Sequence, residues 1–449
     1  MRKRASLRVV VATFASLLFP LSGNAHADAR CSGELQQNVC FDANPNCPAV
    51  PGAGPANTAW PGYQQNRQHT GKSPNAGPAC GQVIWTSKIN GKILSTAAIG
   101  EAAPGQNGTL YVASAKYPIC ALEPVAGNVL WCDTDNIGKL PDYSAPTLSN
   151  DDKIYIGTRD NDMWAIDIPA PEAPPAHVDW RQKVCTDGDI TTPPTVGPDG
   201  VVYMGSDSLG AGSLFAMCPG ATRQVKWCRN PLGGGIKNVS PALNTAGDRL
   251  YVTFSGAFLA AFNPSTGQEL WRVELEGRRN GQRAANYSPV VHPTTGKIYV
   301  GFDEGVWEVT DQGNQAAANL LFATDAVNHQ RIQAPPALDV TANRLYFGAS
   351  RGQNSTFYAI DLNGTFKWSL DLGRGRFRNL PPVVDANGKI YVALKKGLFR
   401  LSQNGPGTAG SINWQFDSPR PFFASPIIGV NRLYIGAVDG TVYAIGCVP

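Results

Sequence analysis

Charge is scarce in this chain: Asp, Glu, Lys and Arg make up 16% of 449 residues, with only five histidines and four methionines. No H-E-x-x-H or Walker sequence occurs, so zinc-protease and P-loop chemistry have no motif to rest on. The ten cysteines include no adjacent pair, no C-x-x-C and no C-x-x-C-H, which leaves no motif for a redox pair, a zinc ribbon or attached haem. Amphipathic-helix periodicity is also missing. A net charge of +4 is small, and the basic segments lack the interleaved aromatics of single-strand binders, so nucleic acid is not an expected partner.

Long apolar runs are absent beyond the first residues. Arg2, Lys3, Arg4 and Arg8 precede an apolar stretch from Val9 to Leu21 and the small residues Ala25-His26-Ala27. That stretch is too short to span a bilayer and reads as a secretory signal peptide over 1–27. Asp28-Ala29-Arg30 before Cys31 is no lipobox. The expectation is a secreted or periplasmic protein with no membrane span, a Cys- and Pro-rich arm over 28–79 and one large domain over 80–449.

What the chain has in plenty is Gly (48), Pro (35) and 43% hydrophobic residues, the makings of many short strands joined by turns. They are organised by one repeat. An apolar-Tyr-apolar-small motif recurs at Tyr111, Tyr155, Tyr203, Tyr251, Tyr299, Tyr346, Tyr391 and Tyr434, in steps of 43 to 48 residues. A period in that range is the mark of a propeller. A small-Pro-apolar segment stands upstream of most copies (Pro146, Pro194, Pro241, Pro289, Pro336, Pro382, Pro426), and downstream runs such as MWAID and FYAID lead to a turn and usually a Trp. Each copy therefore reads as a four-stranded antiparallel meander, and the whole as an all-β, eight-bladed β-propeller.

Fourth-strand tryptophans fall at Trp131, Trp180, Trp227, Trp271, Trp368 and Trp414, with Phe322 in the fifth copy. The eighth copy ends at VYAIGCVP without a fourth strand, while an orphan strand, QVIWTSKI around Trp85, precedes the first. The N-terminal strand is expected to complete the last blade and hide both sheet edges. The tryptophans are expected to pack between blades.

Segments such as AFNPSTGQELW (Ala261 to Trp271) and AIDLNGTFKW (Ala359 to Trp368), and the lead-in WPGYQQNRQHTGKSP (Trp60 to Pro74), resemble the pyrroloquinoline-quinone-like β-propeller family. The resemblance covers residues 60 to 449. It implies either a quinone-dependent dehydrogenase, with PQQ and calcium at the channel mouth, or a scaffold propeller without cofactor. The adjacent-cysteine disulfide and haem motif of the dehydrogenases are missing here.

In an exported protein the cysteines read as disulfides. Cys120 is placed at the end of a third strand with Cys132 after Trp131, and Cys218 and Cys228 in the same relation one repeat pair on, so Cys120–Cys132 and Cys218–Cys228 are expected. The same register puts Cys447 opposite Cys80, a bridge that would staple the ring. Cys31, Cys40, Cys47 and Cys185 are left to tie the arm to itself and to a blade.

Basic and amide residues cluster in the loops leading into the inner strands: Lys237 and Asn238; Arg278, Arg279, Arg283 and Asn286; His329 and Arg331; Arg374, Arg376, Arg378 and Asn379; and Arg420. Arg159, Arg351, Lys395 and Lys396 fall on the same face. Arg forks over apolar walls suit carboxylates and phosphates, which points to an anionic small molecule such as a quinone, an acidic polysaccharide or an acidic envelope protein as partner. Asp187 and Asp189 are the candidate acids, as cation ligands or a base, with turn formation the plainer role. No metal-ligand cluster is visible. Two functions follow: a monomeric ligand-binding or scaffold propeller with a basic channel mouth, or a PQQ-dependent dehydrogenase of an alcohol, sugar or polymer.

Overall fold

The repeat becomes a ring of eight small sheets in the computed structural model. It describes residues 46–133, 144–159, 161–169, 178–183, 189–207, 212–220, 224–229, 234–275, 287–324, 330–403 and 409–448. Residues 1–27, expected to be a signal peptide, and Cys31, Cys40 and Cys185 lie outside these residues. Every blade is a four-stranded antiparallel meander, and no α-helix occurs among the described residues. Blade 1 runs outward through Ala98–Ile99, Leu110–Val112, Cys120–Leu122 and Val129–Cys132. Blade 6 has its inner strand in two pieces, Arg331–Ile332 and Ala337–Asp339, both paired with Arg344–Arg351. Blade 8 is made of Ile427–Ile428, Leu433–Gly436 and Thr441–Gly446, and its outer strand is Gln82–Lys88 from the other end of the chain. The fold is an eight-bladed β-propeller closed by the N-terminal strand.

Each position of the motif has a physical task. In seven blades the tyrosine stands two strands away from an aromatic partner on the outer strand, with a third-strand residue between, as in Tyr111, Ala121 and Trp131. That residue is Ala in six of the seven and Arg400 in blade 7, and the Tyr and Trp rings meet at 5.9 to 6.2 Å. The tryptophans also reach the following blade. Trp85, Trp180, Trp227 and Trp271 donate their indole N–H to Pro124, Gly220, Pro264 and Asp311, each in the turn before the neighbour's outer strand or on that turn's edge. Burial raises the pKa of all eight motif tyrosines, to about 12 at Tyr111, Tyr346 and Tyr434, so they remain neutral hydroxyls.

Blade 5 departs from the expected series. Register places Asn319, not Phe322, in line with Tyr299 and Glu308. Phe322 turns to blade 6 and packs against Phe347, Tyr358 and Phe366. Phe322, the expected substitute for the tryptophan, lies three residues beyond the position aligned with Tyr299.

The arm forms a collar inside the ring. One amide recurs at the end of each inner strand, and in six blades a collar carbonyl accepts from it. The donors Ile99, Leu148, Leu243, Val291, Leu338 and Val384 meet the carbonyls of Trp60, Pro61, Arg67, Gln68, Thr70 and Gly71. The inner-strand prolines carry no N–H, and their carbonyls are capped in turn. Thr147 and Thr195 donate to Pro194 and Pro241 of the next blade. Blades 4 and 5 have Ala242 and Val290 in the Thr position, and there the collar supplies the donors: His69 Nδ1 meets the Pro289 carbonyl and Gln64 Nε2 the Pro336 carbonyl. Since a carbonyl only accepts, His69 carries its proton on Nδ1.

Three disulfides are present among the described residues. Cys120–Cys132 joins directly opposed residues of blade 1, with Cys120 opening its strand instead of ending it. Cys80–Cys447 clamps the ring closure. The expected Cys218–Cys228 bridge is replaced by Cys47–Cys218. The reason is register. Cys120 sits one residue before the alanine that faces the motif tyrosine, whereas Cys218 sits two residues after its equivalent, Ala216, beyond the strand end. Cys228 instead faces Phe215 and is buried. Cys218 is thereby free to hold the arm, and the bridges are consistent with an oxidising compartment outside the cytoplasm.

Candidate functional site: the lead-in face

The small residue of the motif explains how the channel mouth is built. A Cβ on Gly205 or Gly301 would lie 2.6 or 2.7 Å from Cγ2 of Ile236 or Ile332, in the segment leading into the next blade. Gly157 and Gly348 receive Ile190 and Phe377 in the same way. The docked residues also bond by backbone: Ile190, Ile236 and Ile332 donate to Thr158, Ser206 and Asp303. Each loop is thus pinned by one buried apolar side chain, and the polar residues beside it are carried over the channel.

Three loops meet there. Asn379 donates its backbone N–H to Gln333 O at 2.7 Å and its side-chain amide to Asn238 O at 3.2 Å. Asn379 leads into blade 7 and Asn238 into blade 4, three blades apart, so this bond crosses the mouth. Asn238 N–H in turn reaches Thr191 Oγ1 at 3.4 Å. Asn238, Arg378 and Asn379 take left-handed backbone, with φ of 55°, 48° and 61°, which Asn tolerates better than most residues. The side-chain oxygens of Asn238, Gln333 and Asn379 are buried without a hydrogen-bond partner among the described residues.

Charge is divided around this bridge. On blades 2 to 6 three described cations are matched: Arg159 with Asp189 at 3.9 Å, Lys237 with Asp207 at 3.2 Å and Arg331 with Asp303 at 3.3 Å. Asp189 is therefore a rim residue, with its backbone bridged to Asp207. On blades 6 and 7 the pattern changes. Arg351, Arg374, Arg376, Arg378, Lys395 and Lys396 make no ion pair among the described residues, and all but Lys395 are exposed. Arg376 Nε donates to Gly352 O at 2.7 Å, and the Arg378 guanidinium lies 5.0 Å from the Phe423 ring centre. These cations form a crescent over the adjacent blades 6 and 7, beside the bridged mouth. Arg420 pairs with Asp439 at 3.7 Å at the end of the crescent. Asp187, Arg278, Arg279, Arg283, Asn286 and His329 lie outside the described residues.

A family model described as outer membrane protein assembly factor BamB matches residues 76–170 and 149–370. The chain belongs to this family of PQQ-like repeat propellers. Among solved structures, quinohemoprotein alcohol dehydrogenase from Comamonas testosteroni is similar at 14% identity and a TM-score of 0.65, covering 87% of this chain and 81% of its own. A europium-containing methanol dehydrogenase is similar at 13% identity and a TM-score of 0.70 (86% and 98% covered). BamB from Moraxella catarrhalis is similar at 14% identity and a TM-score of 0.56 (82% and 99% covered). No curated protein matches the chain. At these identities the likeness concerns the fold, which dehydrogenases and an assembly factor share.

The Asn379–Asn238 bond crosses the channel mouth. Among the described residues, no three His, Cys, Asp or Glu side chains come together to hold a metal ion.

The collar and the mouth bridge were missed in the sequence. The only sign of the collar was the polar run Gln64 to Thr70 inside a Gly- and Pro-rich arm, and polar residues there are equally what an exposed linker would carry.

Proposed function

We propose that this chain is a non-catalytic binding propeller of the cell exterior, acting as a monomer, whose lead-in face holds an acidic macromolecular partner. The observation that carries this is the crescent Arg351, Arg374, Arg376, Arg378, Lys395 and Lys396, without an ion pair among the described residues and beside a mouth already bridged by its own amides. Exposed cations spread over two blades suit a polyanionic surface, an acidic protein or acidic polysaccharide, better than a small molecule held in a pocket.

The test is binding of the purified secreted protein to immobilised heparin and to polyglutamate across a salt series. Retention that falls steeply with salt, and is lost in Arg374→Glu/Arg376→Glu/Arg378→Glu, is the expected result. Each exposed pair contributes about 0.2 to 1 kcal/mol, so reversing three charges should weaken binding about tenfold or more. Binding indifferent to the triple substitution would overturn the reading. So would bound quinone absorbance with dye-linked alcohol turnover after reconstitution with pyrroloquinoline quinone and calcium.

A further inference from the structure

The collar skips two blades. The amides equivalent to the six collar donors are those of Val196 in blade 3 and Ile428 in blade 8, and neither has a backbone acceptor in the collar. A cavity opens near each gap. The one beside blade 8 holds no charged side chain. The one at blade 3, about 170 Å³, is lined by arm residues 55–58, 61–63 and 65–69 together with Thr147, Leu148, Pro194, Thr195 and Val196.

The chemistry of this second cavity is one-sided. Arg67 is its only charged side chain, and no Asp or Glu lines it. One guanidinium nitrogen of Arg67 donates to Thr245 O at 2.8 Å, while its Nε is buried with no acceptor among the described residues. No ion pair reaches Arg67 among the described residues. The Thr58 hydroxyl, also on the wall, is buried without a partner. His69 adds no charge, because burial holds its imidazole at a pKa of about 4. Arg67 is half-buried, and a guanidinium Nε removed from water without an acceptor is costly, as is the unpartnered Thr58 hydroxyl beside it.

We propose that the collar gap at blade 3 is a binding site for a small carboxylate, held by Arg67 Nε, Thr58 Oγ1 and the Val196 amide. The ligand carboxylate takes the place that collar carbonyls occupy at the other blades and adds the charge Arg67 lacks. At roughly 30 Å³ per water the cavity holds about five waters, the room of a two- to four-carbon acid. The site lies at the inner-strand ends away from the lead-in loops, so it stands apart from the acidic-partner face and does not depend on it.

Saturation-transfer NMR on the full secreted protein with acetate, malonate and succinate tests the site, with acetamide as the neutral counterpart. Transfer to at least one carboxylate and none to acetamide is expected. Arg67→Met should weaken binding about tenfold or more, since it removes a charge-assisted hydrogen bond. The Arg67 backbone carbonyl that meets blade 4 survives that change. Thr58→Val leaves charge and collar backbone in place and should weaken binding several-fold, so the site stays testable even if Arg67→Met does not fold. No carboxylate transfer, equal transfer to acetamide, or binding unchanged in Thr58→Val would overturn the proposal.

Discussion

Replacing both Cys80 and Cys447 by Ser should cost far more stability than the same change at Cys120 and Cys132, although the chemistry removed is identical. The difference is the loop each bridge closes. Cys80–Cys447 joins residues 367 apart in sequence and Cys120–Cys132 residues 12 apart. A crosslink removes about 2.1 + 1.5R ln n cal/mol/K of entropy from the unfolded chain, which gives a ceiling of about 6 kcal/mol for the first bridge and about 3 kcal/mol for the second. At about 2.1 cal/mol/K per residue of unfolding entropy, these correspond to drops in melting midpoint of roughly 6 to 7 °C and roughly 3 °C. The long bridge also guards the only seam in the ring, where Gln82–Lys88 pairs with Thr441–Gly446. Calorimetry of wild type and both double variants under non-reducing conditions reads the two shifts. If the Cys80/Cys447 variant melts no lower than the Cys120/Cys132 variant, the N-terminal strand is not what holds the ring closed.

Two further predictions concern the collar and the mouth. His69 is held at a pKa of about 4 against an ordinary 6.5, first by burial, with its bond to the Pro289 carbonyl opposing. Because the folded value is the lower one, the unfolded chain takes up the proton first. His69's contribution is therefore whole above about pH 6.5 and declines as pH falls, by about 3 kcal/mol at pH 4. Urea unfolding at stepped pH should show a slope over that window that is shallower in His69→Gln, and equal slopes would refute the burial argument. Gly205→Ala places a Cβ 2.6 Å from Cγ2 of Ile236, a residue with no exposed surface. Overpacking of this kind costs about 1 to 3 kcal/mol. It should also displace the Asn238 loop, so heparin retention and stability are expected to fall together, and a neutral result would show that the loop is not pinned there.

Much of this molecule is legible in one dimension because its physics is local and repeated. The apolar-Tyr-apolar-small motif encodes a strand by alternation, a ring contact through Tyr, and a docking place for the next loop through its small residue. Eight copies, with a strand missing at one end and spare at the other, are enough to imply a closed propeller and the role of Trp85. The same reasoning failed where one residue of register decides the outcome. Cys120 and Cys218 look alike beside their tryptophans, yet they sit on opposite sides of the alanine facing the tyrosine, and only pairing of the strands tells which can bridge.

The sequence by itself determined the blades, their number and their closure, since each follows from spacing and side-chain period. Only the tertiary structure decided what fills the ring. The collar's hydrogen bonds run from Trp60 to Gly71 across partners as far apart as Ile99 and Val384, joined by backbone groups that every residue carries and no motif can mark. Likewise the mouth arginines are equal in the sequence. Among the described residues, folding pairs Arg159, Lys237 and Arg331 with Asp189, Asp207 and Asp303 and leaves Arg351, Arg374, Arg376 and Arg378 without acids, because charge balance depends on which loops the ring brings together.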